Sequence, residues 1–551
     1  MLREWIVTLH KKEDLEDFYE DMETPGGNLF IPNRAVEVAN KRPISRNTHY
    51  ILTDDEVELL KLDDRVWDVD LVELIELTTG PHYTITNGDF DKSWGSDASD
   101  INWGLLRNSE ETNRSNWGAN GTSLVVDDLT ITASGKNVDV VIVDGHIDPN
   151  HPEFAVNSDG TGGSRVQQFN WFSLTNAVTG GSNGTYVYTP YVDGGDANRT
   201  ADNNHGCHVA GTVAGNTQGW ARDANIYNIS PYGSNPNTVS STVMWDYIRA
   251  WHNSKEINLV TGRRNPTVTN NSYGSSISSN YNGSYTTGAV TRVNYRGVDF
   301  NPGRNLTTAE LQARGFYAPS LTMAIPNWFA SRNADMQDAI DDGILIVASA
   351  GNDYWKTVND VDQDYNNVYY MTYFGTNYSW YLNRGTGSGA GYAPIINVGA
   401  TSNDILEDKA PFSNCGSQVD IFAAGEAIQS SVHSGGLADV RNGSYQLSKY
   451  QGTSMSGPQV AGVLTILAES WPNMTQAEAQ SWLINNASTD QMQDTATDNP
   501  MDTNSLQGAA NRYLRWINQR SATGDTFPQK NFRPRPTTGI AYPRTRIRRR
   551  G

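Results

Sequence analysis

The chain has 551 residues, 37% hydrophobic and 19% charged, which permits a packed core and more than one domain and argues against wholesale disorder. A formal net charge of −20 argues against general binding to nucleic acid or to an anionic membrane. The two cysteines, Cys207 and Cys415, give no disulfide framework, and no apolar run is long enough to span a bilayer.

The first 77 residues predict a small α/β unit. Trp5–Leu9 reads as a strand, and Leu15, Phe18 and Met22 follow at helical spacing. Arg34–Asn40 and His49–Leu52 read as two further strands. Thr53 and Glu56 make a capping box for a helix whose apolar face carries Val57 and Leu60. Val66–Val72 is a last strand. The order βαββαβ closes one sheet with both helices on one face, a ferredoxin-like arrangement. Residues 78–100, rich in Gly, Thr and Asp, read as a linker.

From 101 to 520 the pattern becomes alternating strands and helices. Apolar strands are expected at Val138–Val143, Ala224–Ile229, Thr267–Ser272, Gly343–Ser349, Ala393–Ala400 and Val419–Ala424. Helices are expected at Gly206–Gly215, Ser240–Asn253, Trp328–Asp342 and Ser454–Ser470. Strands apolar on both faces between helices predict a three-layer, doubly wound α/β domain with a mainly parallel sheet. Polar inserts interrupt it at 155–200, 276–326 and 353–390. The tail, 521–551, is basic and Pro/Arg-rich, with no acidic residue from Thr526 onward. It reads as an extended, solvated segment or one that docks on an acidic partner.

Chemistry gathers at four places. Asp144 ends the strand Val138–Val143, where open α/β sheets put ligands and catalytic groups, although a strand-end Asp also caps turns. His205 stands at the start of a helix rich in small residues, as a general base or as a cap. His205 and His208, spaced His-x-x-His, also raise a zinc site, but two ligands without a carboxylate or thiol partner in register make a poor one; Cys207 is a possible third ligand. Ser454 opens the helix of GTSMSGPQVAG, where free amides point at the site of a developing oxyanion; Ser456 falls on another face. Asn352, after a strand, can form a turn or donate its amide to an oxyanion.

Together these residues resemble the subtilase family of serine proteases. The motifs are VIVDGHIDPNHPEF, HGCHVAGT, NNSYG, VASAGND and GTSMSGPQVAG, supported by INWGLLR, APFSNCGSQVDIFAAGE and SLQGAANRYL. They run in the family's Asp, His, Ser order over about 100–515. The short segment after the His motif resembles the proteinase K branch. The resemblance implies a triad of Asp144, His205 and Ser454. It implies an oxyanion hole from the Asn352 side chain and the Ser454 amide. Ser272, Tyr273 and Gly274 would pair with an extended polypeptide substrate, and Ser349, Ala350 and Gly351 would line the S1 pocket.

This chain departs from the family at Gly145, His146, Cys207, Ser456, Gly457 and Gln459, none of which removes a triad atom. Cys207, two residues after His205, predicts sensitivity to mercurials. The N-terminal unit, with YILTDDEVELLKLDDRVWDVDLVE, resembles the family's propeptide. That resemblance implies a zymogen with an intramolecular inhibitor and autocleavage in 74–100. The chemistry needs no cofactor. Structural calcium is common in the family, and Asn359–Asp364 is an acidic loop of the kind that binds it. The expected function is a serine endopeptidase; the alternative is a latent or structural subtilase-fold component of a virion, with the tail and inserts meeting an assembly partner. The N-terminus lacks a signal-type apolar region, so the expected location is the cytoplasm of the producing cell, or a virion.

Overall fold

The structure is a computed structural model. It describes residues 2–516 except 28, 31–35, 72–75, 78–81, 84–101, 110–130, 132, 181–189, 191–201, 232–237, 280–287, 321–322, 374–375, 386–393 and 405. The expected linker therefore lies outside the described residues apart from His82–Tyr83, and the tail at 521–551 lies outside them entirely.

The N-terminal unit is a four-stranded antiparallel sheet in the order Glu37–Asn40, Asn47–Leu52, Arg3–Leu9, Val66–Leu71. Helices Leu15–Glu23 and Asp54–Leu60 bury Phe18, Met22, Val57 and Leu60 against it. The capping box is formed: Thr53 N–H donates to Glu56 Oε2 at 2.7 Å and Glu56 N–H to Thr53 Oγ1 at 3.4 Å.

The main domain is built on a nine-stranded sheet. Its central strands run, in spatial order, Ile421–Ala424, Ile396–Thr401, Leu345–Ser349, Thr267–Asn271, Asp139–Val143 and Asn225–Ile229, all parallel. After Asp139–Val143 the chain first builds outward on one side and then crosses to the other. The strand order therefore reverses between Asp139–Val143 and Thr267–Asn271, and a crevice at the carboxyl ends is expected there. Asp144 and Ser272 are the residues that follow those two strands. Two hydrophobic cores cover the two faces of the sheet. One holds helices Asp202–Ala214 and Thr453–Ser470; the other holds Met244–Ser254 and Ala330–Asp341. Two helix starts lie four residues from the pattern in the sequence. The first begins at Asp202, since its leading turn is polar and carries no apolar period. The second begins at Met244, because Ser240 spends its hydroxyl on Thr242 within a turn.

The inserts at 276–326 and 353–390 fold together. Ala289–Tyr295 pairs with Val368–Tyr373, which pairs with Thr376–Tyr381, and a separate core forms around Val293, Phe316, Trp355 and Tyr369. Tyr378 of the outer strand packs on the core of the N-terminal unit.

Glu153 pins the segment after the His205 helix. Its carboxylate accepts from Thr217 N–H, Thr217 Oγ1 and Gln218 N–H and pairs with Arg441. Gly215 is needed beside it, since a Cβ there would lie 2.2 Å from Glu153 Oε2. Burial pushes the Glu153 pKa up, but Arg441 and the amide and hydroxyl donors outweigh it and hold the group down at about 2. A depressed carboxyl pKa adds stability that is complete above the unfolded value of 4.5 and is lost as pH falls toward 2. Glu153→Gln should lose about 3 kcal/mol at pH 7 against its parent. In thermal melts its deficit against the parent should shrink between about pH 4.5 and 2; a deficit independent of pH would contradict this account of Glu153.

Candidate active site

Asp144 is fully buried at the end of Asp139–Val143. Its Oδ1 accepts from Gly145 N–H at 2.7 Å. His205 Nδ1 lies 2.8 Å from Asp144 Oδ1 and 2.9 Å from Oδ2. A carboxylate can only accept there, so Nδ1 carries the proton and Nε2 holds the lone pair in the neutral ring. Nε2 is buried and makes no hydrogen bond with any described residue. Small residues let the His205 helix come this close: a Cβ on Gly206 would lie 2.2 Å from Gly145 O.

Ser454 is the second residue of Thr453–Ser470, a helix packed against the one that carries His205. Pro458 sits four residues later and has no N–H, so the Ser454 carbonyl loses its helical partner. Ser272 Oγ replaces it, donating to Ser454 O at 3.3 Å, and Asn270 Nδ2 in turn donates to Ser272 Oγ at 2.9 Å. Ser454 Oγ makes a long bond to Ser272 O, 3.4 Å. Ser456 donates its hydroxyl to Thr453 O inside the helix, a packing arrangement.

Asn352 lies beside the start of this helix. Its Oδ1 accepts from both Thr453 N–H and Thr453 Oγ1, each at 2.8 Å. Nδ2 must therefore point the other way, past Gly452. Gly452 has φ +143°, and a Cβ there would lie 3.3 Å from Asn352 Nδ2 and 3.6 Å from Ser454 N. Glycine thus keeps open the space that both amides border.

Ser349, Ala350 and Gly351 continue the strand Leu345–Ser349, and Asn414 clamps them. Asn414 Nδ2 donates to Ala350 O at 2.7 Å, and Asn414 N–H donates to Gly351 O. Tyr273 and Gly274 form a short strand that pairs antiparallel with Leu77 and Glu76 of the N-terminal segment. His82 and Tyr83 pair with Tyr450 and Lys449, just ahead of Ser454. The N-terminal segment therefore holds strand pairings on two sides of the helix start that carries Ser454.

The structure thus joins Asp144 to His205, and Ser454 to Ser272 and, through Thr453, to Asn352. Sequence reasoning missed Thr453, Asn414 and the strand Asn442–Tyr450. The proline four residues after Ser454 was the available signal for the Ser272 contact. His208 does not face His205; its Nε2 donates to Ile428 O at 2.8 Å and its ring stacks on Tyr450. Asp364 of the acidic loop is engaged by Arg296 and Lys356. Among the described residues, no three or more His, Cys, Asp or Glu side chains are grouped to hold a metal ion. No described helix is long and apolar enough to cross a membrane.

The family model described as the Subtilase family matches residues 135–509. Subtilisin-like protease 3 of Arthroderma otae is 25% identical over 429 residues, covering 78% of this chain and 68% of that protein. Subtilisin E of Bacillus subtilis is 23% identical over 359 residues, covering 64% of this chain and 61% of that protein. The crystal structure of fervidolysin from Fervidobacterium pennivorans, a keratinolytic enzyme related to subtilisin, aligns with a TM-score of 0.44 at 18% identity, over 93% of this chain and 60% of that one.

Cys207 is fully buried, with its Sγ 3.1 Å from Asp148 N. Burial also raises the Cys415 thiol to about 11. Both should resist a thiol reagent in the folded protein and react on unfolding. Rapid reaction of Cys207 in the native chain, read by mass spectrometry, would contradict its burial and support the mercurial sensitivity expected from sequence.

Proposed function

The chain belongs to the subtilase family, and on that premise we propose that it is a serine endopeptidase made as a zymogen. The observation that carries the reading is the buried Asp144–His205 pair, which leaves Nε2 as the ring's basic atom. When a polypeptide binds, Ser454 Oγ–H turns from Ser272 O to His205 Nε2. Oγ attacks the scissile carbonyl while Nε2 takes the proton, and the carbonyl oxygen becomes an oxyanion. Asn352 Nδ2 and Ser454 N–H stabilise that charge. Asp144 holds the ring in its tautomer and balances the imidazolium. The C–N bond breaks as His205 returns the proton to the leaving amine. A water, deprotonated by the same Nε2, then hydrolyses the acyl-enzyme.

Ser272–Gly274 offer an edge strand, which reads substrate through its backbone. In the uncut chain Glu76–Leu77 hold that edge, so the N-terminal unit acts as the inhibitor. The strand pairings of Glu76–Leu77 and His82–Tyr83 favour self-cleavage at a bond between Leu77 and His82.

N-terminal sequencing of purified protein tests this directly. The wild-type chain should yield a new N-terminus between residues 78 and 82, and Ser454→Ala should keep Met1 or residues next to it. A new terminus in Ser454→Ala, or none in the wild type, would sink the reading. Asn352→Ala should still be cut, about 10²–10³ times more slowly in turnover. Thr453→Val, which keeps the backbone N–H bond to Asn352 Oδ1 but removes the hydroxyl one, should lower kcat about tenfold by loosening the Asn352 amide, with KM little changed and Thr453→Ser restoring most of it. A change confined to KM would contradict the positioning role.

A further inference from the structure

The N-terminal unit carries one basic side chain deep into the main domain. Arg42 is fully buried. Its Nε donates to Asp246 Oδ2 at 2.7 Å and its Nη2 to Asp335 Oδ1 at 2.9 Å. Asp246 belongs to the helix Met244–Ser254 and Asp335 to Ala330–Asp341, so the guanidinium bridges two helices of the other unit. The residues after Arg42 close over it. Ser45 Oγ and Asn47 Nδ2 both donate to Asp335 Oδ1 at 2.9 Å, and Arg249 donates back to Ile44 O at 2.8 Å. A second contact lies at the start of the same helix, where Asp70 Oδ2 accepts from Ser331 N–H at 2.9 Å. A third comes from the insert: Tyr378 packs on the N-terminal core and lies under the Arg3 guanidinium at 5.4 Å.

We propose that Arg42, seated between Asp246 and Asp335, is the specificity key by which the main domain recognises its own N-terminal unit, and that the insert strand Thr376–Tyr381, a second arm, keeps the unit bound after the chain is cut. This rests on the reading of the N-terminal unit as an inhibitor. A buried ion pair adds little net affinity, because the charges lose their water. It discriminates strongly, because a partner without the cation leaves two acids buried and unpaired. An N-terminal unit lacking a cation at position 42 is therefore rejected. The insert explains why the contact need not rest on charge alone: aromatic surface on Tyr378 supplies non-polar burial against the N-terminal core.

Two measurements test this and separate it from the proposed activity. The first uses the intact Ser454→Ala chain, where no cutting is needed. Hydrogen exchange at Ser331 and the following turn should be at least about thirtyfold faster in Arg42→Met than in its parent. Adding Asp246→Asn and Asp335→Asn to Arg42→Met should recover most of the protection, because it removes the uncompensated charges. If Arg42→Met does not fold, Asp335→Asn, made from the main-domain side, reads the same socket. Unchanged protection in these variants would overturn the key. The second uses the self-cut wild-type chain. Its N-terminal fragment should co-elute with the main domain on gel filtration, and Tyr378→Ala should release it faster. A fragment that separates from the cut wild-type protein on the first passage would overturn retention. A wild-type chain that is never cut counts against the proposed activity, and the exchange result still decides the socket.

Discussion

The hydrogen bond between Asp144 and His205 is the contact on which the rest of the site depends. A carboxylate with no exposed surface is costly unless it is paired and hydrogen-bonded. Asp144 has that pairing because the strand Asp139–Val143 ends at the crevice where the strand order reverses, and because Gly206 lets the His205 helix lie on the Gly145 backbone. The same close approach recurs along that helix. A Cβ on Gly211 would lie 2.3 Å from the hydroxyls of Ser430 and Ser431, which donate to His208 O and Cys207 O. Packing of small residues thus becomes orientation of one imidazole, and orientation becomes a lone pair on Nε2.

The second half of the site follows from a defect in a helix. Pro458 removes the partner of the Ser454 carbonyl, and Ser272 supplies another from the neighbouring strand. This ties the helix start to the edge on which Glu76–Leu77 lie. Thr453 then sets the Asn352 amide from the other side. The proposed nucleophile, oxyanion donors and substrate edge are in this way held by one short run of bonds. The N-terminal unit lies on that edge through Glu76–Leu77 while Arg42 anchors it elsewhere, so in the proposed zymogen blocking and recognition are carried by separate residues.

Much of this was legible in the sequence. Most of the six central parallel strands announce themselves as apolar runs, and Thr53–Glu56 announces a helix start through local chemistry alone. Asp144, His205, Asn352 and Ser454 stood out as polar residues at strand ends or helix starts, and the resemblance to the subtilase motifs selected them from among the caps and turns such positions also make. What was hidden is non-local. Nothing in 276–326 or 353–390 taken separately says that Ala289–Tyr295 pairs with Val368–Tyr373, since the register is set by a shared core around Phe316 and Tyr369. Arg42 looks like any surface arginine, because its partners are 204 and 293 residues away. Thr453 reads as part of a serine motif, and its work on Asn352 becomes visible only when strand end and helix start are brought together.

The central claim is that Ser454 is an activated nucleophile covered by the chain's own N-terminal segment. Fluorophosphonate labelling, followed by mass spectrometry of the modified peptide, reads both parts at once. The account predicts slow labelling of Ser454 in the intact chain, fast labelling once the N-terminal unit has been removed by limited proteolysis, and no label at that position in His205→Ala. Labelling that stays absent after removal, or that is equally fast in the intact chain, would contradict it.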